Sequence, residues 1–344
     1  VASPAAQRFA DGGPRVIVAG ATGFTGALAA YLLWRHPDFE LTAVTGRSEL
    51  GRPLREVYPR YRVPLEIEPL EVERLAGIDA AVVAYPHAAA APTVGALRER
   101  GIRVVDLSAD FRLRSLAAYE RWYGEHPRPD LLDEAVYGLT ELHRERIAGA
   151  AIVANPGCYP TASLLALAPL ARAGLIADVV IDAKQGISGA GRVFDETTHL
   201  SMAGENIVPY KVAAHRHTPE IEEQLALLGA GEMKVQFQAH LVPLDQGEMA
   251  SCYVTTTRPV AAEELRDMYT AAYAEEPFVE LLDGPPGVLE VRETNYCRVF
   301  AAADQHTGKV IAFGAIDNLW KGTSSQAVQN LNLMFGLPET RGLL

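Results

Sequence analysis

Cysteine, histidine and arginine stand at turns in this chain, where side chains can do chemistry. Cys158 lies in Asn155-Pro156-Gly157-Cys158-Tyr159-Pro160-Thr161. Pro156 and Gly157 break the apolar run 151–154, a short buried strand, and Pro160 suits the first turn of a helix. Residues 163–170, rich in alanine and leucine, carry that helix on. Cys158 therefore stands at or near a helix N-terminus, where unpaired N–H groups and the dipole stabilise a thiolate and lower its pKa. The alternative fate of a lone cysteine is a small buried hydrophobe, but turn residues on both sides favour a nucleophile. His215 and His217 sit two apart in Lys211-Val212-Ala213-Ala214-His215-Arg216-His217-Thr218-Pro219-Glu220, just before a helix opened by Thr218 and Pro219. Two histidines without a third ligand do not make a zinc site. One imidazole near a nucleophile is enough for acid–base work, and spacing alone leaves open which of the two it is.

A second chemistry is dinucleotide binding. The apolar strand 16–19 runs into Gly20-Ala21-Thr22-Gly23-Phe24-Thr25-Gly26, and residues 27–34 continue as an apolar helix. Strand, glycine turn and helix bring backbone N–H groups to a pyrophosphate at the helix N-terminus. The next strand, 40–44, ends at Thr45-Gly46-Arg47-Ser48 without the acid that holds a ribose 2′-hydroxyl. Arg47 and Ser48 offer a cation and a hydroxyl instead, which suits the 2′-phosphate of NADP(H); the plain alternative for Arg47 is a surface loop. Arg112 follows Ser108-Ala109-Asp110-Phe111, just past the strand 104–107. It can meet an anion there or pair with Asp110 or Glu120.

The elements that must position these groups fall into two patterns. Strands at 16–19, 40–44, 79–84, 104–107 and 151–154 alternate with helical stretches such as 88–100, as in a doubly wound parallel sheet. Residues 51–70 read as a surface excursion, and 116–146 as irregular structure with short helices. After the cysteine helix, 179–183, 235–241, 249–257, 296–302 and 309–316 read as strands, several with one-sided alternation. Residues 261–274 form an amphipathic helix between them, and Val328, Leu331 and Met334 mark the packed face of a last helix, 323–335. The expected fold class is α/β: a Rossmann-type doubly wound parallel sheet plus an α+β catalytic domain with a mixed, largely antiparallel sheet. Cys252 and Cys297 fall inside strands and are expected in the core.

Composition narrows the class. A chain of 344 residues, 49% apolar and 22% charged, fits two globular domains. A net charge of −12 argues against nucleic acid and acidic membrane surfaces as partners. No apolar run is long enough to span a bilayer, and the first residues lack the basic and apolar stretches of a signal peptide. Three scattered cysteines form neither a disulfide framework nor a metal cluster, so no metal is expected. These features together suggest a cytoplasmic enzyme.

The segments at 20–26, 106–113, 155–162, 188–192, 215–221 and 316–322 together resemble the N-acetyl-gamma-glutamyl-phosphate reductases, relatives of aspartate-semialdehyde dehydrogenase. The resemblance implies an NADP-binding Rossmann domain over 1–155 and an α+β catalytic and dimerisation domain over 156–316. It also implies a C-terminal helix, 317–344, that returns to the first domain, and assembly as a homodimer or homotetramer. Carried over by position, Cys158 matches the nucleophile and His217 its acid–base partner. Arg112 matches an arginine at the substrate phosphate. Ser188, Gly189 and Gly191 match a loop near the cofactor, and Asn318 an asparagine near the nicotinamide. Lys211 and Glu220 look like substrate-side residues, and Arg216 adds a further cation for a small diacid derivative. Tyr85 and Ala88 stand where the family commonly has Leu and Gly, and Gln185 where Ser is common.

The implied reaction reduces an acyl phosphate, N-acetyl-gamma-glutamyl phosphate, through a cysteine thioester at the expense of NADPH, in arginine biosynthesis. One alternative is reduction of a carrier-protein-linked aminoadipyl phosphate in lysine biosynthesis. Tyr159-Pro160 and the net charge of −12 argue against that carrier. A second alternative, a non-catalytic NADP-binding regulator, gives no reason to keep Cys158, His217 and Arg112 together.

Overall fold

The computed structural model describes residues 12–192 and 198–344. The chain divides into two compact units, Val1–Pro156 with Thr323–Leu344, and Gly157–Gly322.

In the first unit, strands β1 (Arg15–Ala19), β2 (Glu40–Thr45), β3 (Ile67–Glu68), β4 (Ala80–Val83), β5 (Arg103–Asp106), β6 (Ala135–Tyr137) and β7 (Ile152–Ala154) form one sheet. Its order is β3-β2-β1-β4-β5-β7-β6, with every pair parallel. Val16–Val18, Ala80–Val83 and Ile152–Ala154 are fully buried, as continuous apolar strands covered on both faces must be. Helices α1 (Phe24–Arg35), α2 (Leu54–Val57), α3 (Ala90–Glu99), α4 (Leu116–Tyr123) and α5 (Thr140–Ala148) connect them. Three of these elements depart from the sequence reading. The stretch 51–70 contains α2 and β3, whose two residues extend the sheet beyond β2. Ala135–Tyr137, read as irregular, is the opposite edge strand, too short for any alternation to show. The closing helix Ser325–Met334 packs on α1 and α5. Val328, Leu331 and Met334 are buried as expected, but so are Gln326, Gln329 and Asn330. Their amide nitrogens find acceptors in the interior: Gln326 donates to Thr140 Oγ1 (2.8 Å), Gln329 to Glu339 Oε2 (2.9 Å) and Asn330 to Gly138 O (2.8 Å).

The second unit opens with α6 (Cys158–Arg172), in which residues 159–171 are all buried. A helix apolar all round must be covered on all sides; sheet strands, Tyr269 and Tyr273 surround it, the tyrosine hydroxyls donating to Ala166 O and Leu165 O. The sheet comprises β8 (Ile176–Gly186), β9 (Val208–Tyr210), β10 (Val235–Val242), β11 (Glu248–Thr256), β12 (Val279–Leu281), β13 (Cys297–Asp304) and β14 (Lys309–Ile316). Its order is β12-β13-β14-β11-β8-β10-β9; β8–β10 and β12–β13 are parallel and the other pairs antiparallel. Helices α7 (Leu200–Ala203), α8 (Thr218–Leu225) and α9 (Ala262–Tyr273) complete the unit. Cys252 and Cys297 are core residues. The fold is thus a parallel α/β sheet and a mixed α+β sheet, the class expected.

Candidate active site

Cys158 is the first residue of α6 and the one partly exposed cysteine, beside buried Cys252 and Cys297. The helix is longer at its N-terminus than the 163–170 run, because Pro160 falls within its first turn and removes an N–H that needs no intrahelical acceptor. Several contacts hold the nucleophile turn. The Gly157 N–H donates to Glu220 Oε1 (2.8 Å). The imidazole of His217 packs so close that a Cβ on Gly157 would lie 2.5 Å from its Nε2. Gly322 covers the other side, where a Cβ would lie 2.8 Å from that of Cys158. Gln185, at the end of β8, donates its amide to Cys158 Sγ at 3.0 Å. Gly189 makes room for this reach, since a side chain there would overlap the Gln185 amide at 2.2 Å.

The electrostatics depart from the sequence reading. Burial, joined by the charge of Glu248, pushes the Cys158 thiol well above its usual value. The Tyr159 backbone N–H and the Gln185 amide pull the other way without prevailing. A helix N-terminus alone would favour thiolate, but dehydration and a neighbouring carboxyl outweigh it. The resting group is therefore the thiol, and catalysis must remove its proton.

His215 and His217 are brought together, with ring centroids 4.9 Å apart. His215 is buried among Tyr159, Tyr210 and Phe237. Burial first, then the charges of Lys211 and Arg216, lower its pKa to about 3. A neutral His215 accepts the His217 backbone N–H on Nδ1 (3.2 Å), so it orients its neighbour and is a poor acid. Lys211 has φ +46 and an exposed side chain whose partial desolvation, with the charge of Arg216, lowers its pKa. These two cations and His215 share one electrostatic neighbourhood.

Three other expected ligand contacts have defined tasks within the fold. Glu220, 1% exposed, serves the Gly157 backbone from α8 and does not present an open carboxylate. Asn318 joins Ser188 Oγ (3.0 Å) to the Gly247 N–H (2.9 Å), and Ser188 Oγ donates to Asp245 O (2.6 Å). The loop 186–191 is thereby tied to the segment 245–247 by a buried amide. Gly189 and Gly191 lie in that loop, exposed.

The first unit carries the glycine turn. Gly20 has φ +95, and a Cβ there would lie 2.7 Å from Ala84 O. One on Gly26 would lie 2.2 Å from Gly20 O, so helix and strand meet only because both side chains are absent. The N–H groups of Gly20 and Ala21 both donate to Thr45 O (2.9 Å), fixing the turn to the end of β2. Tyr58 donates to Thr22 O (2.9 Å), and Ser48 reaches Thr22 Oγ1 (3.5 Å). No side chain caps α1 and no acid lies in its first turn, so Gly23, Phe24 and Thr25 present a helix N-terminus suited to an anion. Arg47 is exposed, its guanidinium 4.8 Å from the Tyr85 ring. These residues fit the pyrophosphate and 2′-phosphate of NADP(H).

Arg112 is buried, and its guanidinium donates to Leu107 O and Asn155 O, both at 2.8 Å. It ties the ends of β5 and β7 together. Asp110, which the sequence offered as its partner, accepts from Ala88 N (2.7 Å), Ala91 N (2.8 Å) and Tyr119 Oη (2.8 Å). Ala88 has φ +62, a conformation that glycine adopts at lower cost. Among the described residues, no group of three or more His, Cys, Asp or Glu could hold a metal ion. No helix there is long and apolar enough to cross a membrane.

Two model domains cover most of the chain: "Semialdehyde dehydrogenase, NAD binding domain" over 15–150 and "Semialdehyde dehydrogenase, dimerisation domain" over 158–318. The chain is 48% identical over 336 residues to the N-acetyl-gamma-glutamyl-phosphate reductase of Moorella thermoacetica, covering 95% of this chain and 96% of that one. It is 46% identical to the Symbiobacterium thermophilum enzyme of the same name, covering 96% and 97%. The chain belongs to the N-acetyl-gamma-glutamyl-phosphate reductase family. The fold of this family member matches aspartate semialdehyde dehydrogenase II of Vibrio cholerae with a TM-score of 0.72 at 20% identity, covering 94% of this chain and 98% of that one. It matches the Candida albicans aspartate semialdehyde dehydrogenase, solved with NADP, with a TM-score of 0.68 at 16% identity and the same coverages.

Sequence reasoning missed two residues of this reductase-family site. Gln185 registered only as a departure from the family pattern, although it is the amide donor to the nucleophile. Glu248 was not considered. Its one available signal is a carboxylate at the apolar start of a strand, directly after Gln246-Gly247.

Proposed function

We propose that this protein catalyses the NADPH-dependent reduction of N-acetyl-gamma-glutamyl phosphate to N-acetylglutamate 5-semialdehyde and phosphate, in arginine biosynthesis. The observation that carries the reading is the Cys158 thiol at the start of a buried helix, hydrogen-bonded by Gln185 and with the His217 imidazole one residue away. Covalent catalysis suits an acyl phosphate: sulfur displaces phosphate and the thioester is reduced in a second, easier step. Arg112 is assigned to the substrate phosphate. Two carbonyls already order its side chain, so meeting an anion costs it little further entropy. Lys211 and Arg216 take the substrate carboxylate, and Glu220 holds the turn. Gly20–Gly26, Arg47 and Ser48, with Ser188, Gly189, Gly191 and Asn318, would hold NADPH, which would supply the hydride. His217 protonates the oxygen of the thiohemiacetal as it forms and takes that proton back when the aldehyde departs. The first unit is the NADP domain, and the second the catalytic and dimerisation domain. The working form is a homodimer or homotetramer in the cytoplasm, whose reducing conditions keep Cys158 a free thiol.

The test is phosphate-dependent NADP+ reduction by the purified protein with N-acetylglutamate semialdehyde, aspartate semialdehyde and a carrier-linked aminoadipate semialdehyde. The first should give the highest kcat/KM, and Cys158→Ser should abolish it with NADPH binding retained. A higher kcat/KM for either competitor would reject the substrate and leave the cysteine mechanism standing.

A further inference from the structure

Glu248 is a buried acid that the mechanism above leaves unused. It opens β11, opposite Gln185 in the antiparallel β11–β8 pair. Residues directly opposite in such a pair present their side chains on the same face, and the Gln185 side chain ends on Cys158 Sγ. Glu248 is 0% exposed, and neither carboxyl oxygen makes a hydrogen bond of full geometry among the described residues. It interacts with the Cys158 thiol, and Asp317, Tyr159 and Tyr210 lie within its electrostatic reach. An unsatisfied carboxyl in a dry interior is costly, and a site that keeps one at its nucleophile has a use for it.

We propose that Glu248 is the proton carrier of Cys158, taking the thiol proton as sulfur attacks and returning it as the carbon–sulfur bond breaks. In acylation the Sγ–carbon bond forms, the carbon–oxygen bond to phosphate breaks, and the S–H proton passes to a Glu248 oxygen. Phosphate leaves and takes its own proton from solvent. In release, the thiohemiacetal hydroxyl proton goes to His217, the carbon–sulfur bond breaks, and the emerging thiolate recovers its proton from Glu248. Neither residue gains or loses a proton over the cycle, and the two protons are handled by different groups. The surroundings tune Glu248 to the task. Burial, then the charge of Asp317, raise its pKa to about 8, against an opposing contribution from Cys158. Tyr159 and Tyr210 are both held above their usual values and stay neutral. The carboxylate form that can accept the thiol proton therefore grows in as pH rises through about 8, and the thiol and acid titrate as a pair.

This inference rests on the acyl-transfer reading, and the experiment separates the two. In the wild type, kcat/KM for phosphate-dependent aldehyde oxidation should rise as pH increases from 6.5 through about 8. Glu248→Gln should lose that rise and about 100-fold in kcat/KM, within the usual range for a general base. Its rate of Cys158 alkylation by iodoacetamide should equal or exceed that of the wild type, with the alkylation profile moved to lower pH, because a charge that opposes the thiolate is gone. Glu248→Asp, which keeps the acid, should recover part of the turnover and the pH limb. Turnover within threefold of wild type in Glu248→Gln overturns the proposal; so does a parallel fall in turnover and alkylation, the mark of a structural role. Alkylation needs no substrate, so an unchanged alkylation profile in Glu248→Gln overturns it even if the substrate assignment fails. Should that variant not fold, a wild-type kcat/KM that stays flat between pH 6.5 and 9 overturns it.

Discussion

Gly157→Ala tests whether the His217 imidazole works from the place it occupies. Gly157 has φ −68 and ψ 155, which alanine adopts without strain, so the backbone is not perturbed. The new methyl would lie 2.5 Å from His217 Nε2 and 2.9 Å from both flanking carbons. Ordinary contact is about 3.5 Å, so the ring must retreat by roughly 1 Å. Displacement on that scale costs about 100-fold in rate when the displaced group acts in the transition state, or about 2.7 kcal/mol of barrier. Overpacking should cost roughly 1–3 kcal/mol of stability at the same time, which shifts melting without unfolding the chain. The assay is steady-state NADP+ reduction with N-acetylglutamate semialdehyde and phosphate, alongside iodoacetamide labelling of Cys158. The expected result is a kcat lower by about two decades, KM within a few-fold of wild type, and labelling nearly unchanged. A kcat within threefold of wild type would refute the placement of His217 as proton donor. Labelling that fell with kcat would mean the methyl had displaced the thiol instead.

Arg47→Ala should weaken NADPH binding by roughly 10- to 100-fold, the worth of a charge-assisted phosphate contact; NADH binding should change less than threefold, and equal losses for both would make Arg47 a structural residue. His217→Asn should lower kcat far more than it raises KM. His215→Asn should cost less, because a histidine whose pKa is held near 3 carries no proton to donate; a larger kcat loss in the His215 variant would exchange the roles. Stability should fall between pH 6.5 and 8. Burial raises the folded-state pKa of Asp106 to about 7 and of Glu248 to about 8, from 3.8 and 4.5. Their contribution is complete below the unfolded values and is lost as pH rises through the folded ones. Buried His36 and His215, with lowered values, act below pH 6.5 and do not mask this fall. Melting temperatures across the range check it: Asp106→Asn should remove the part of the loss that ends near pH 7 and Glu248→Gln the part that ends near pH 8, and a flat wild-type curve would contradict the sign.

What the sequence determined by itself is what depends on neighbours along the chain. The continuous apolar runs at 16–18, 80–83 and 152–154 could be satisfied only by burial on both faces of a parallel sheet, and they form one. Gly20 to Gly26 encoded a turn because a positive φ and a 2.2 Å approach need glycine in any context. The Pro156-Gly157 break and Pro160 placed Cys158 at a helix start for equally local reasons. Tertiary structure decided what depends on distant partners. Ala135–Tyr137 is a strand only because Ile152–Ala154 lies beside it, and three residues carry no period to read. Arg112, an open cation in the sequence, is drawn inward by two carbonyls. The lowered pKa of His215 comes from its burial and from the cations Lys211 and Arg216, which spacing cannot report. The protonation of Cys158 is the plainest case. A helix N-terminus legible in 155–161 argues for thiolate, whereas Glu248, ninety residues on, stands beside the sulfur through β11–β8 pairing. Charges interact through space and dehydration accumulates from every neighbour, so the state of that thiol belongs to the folded chain.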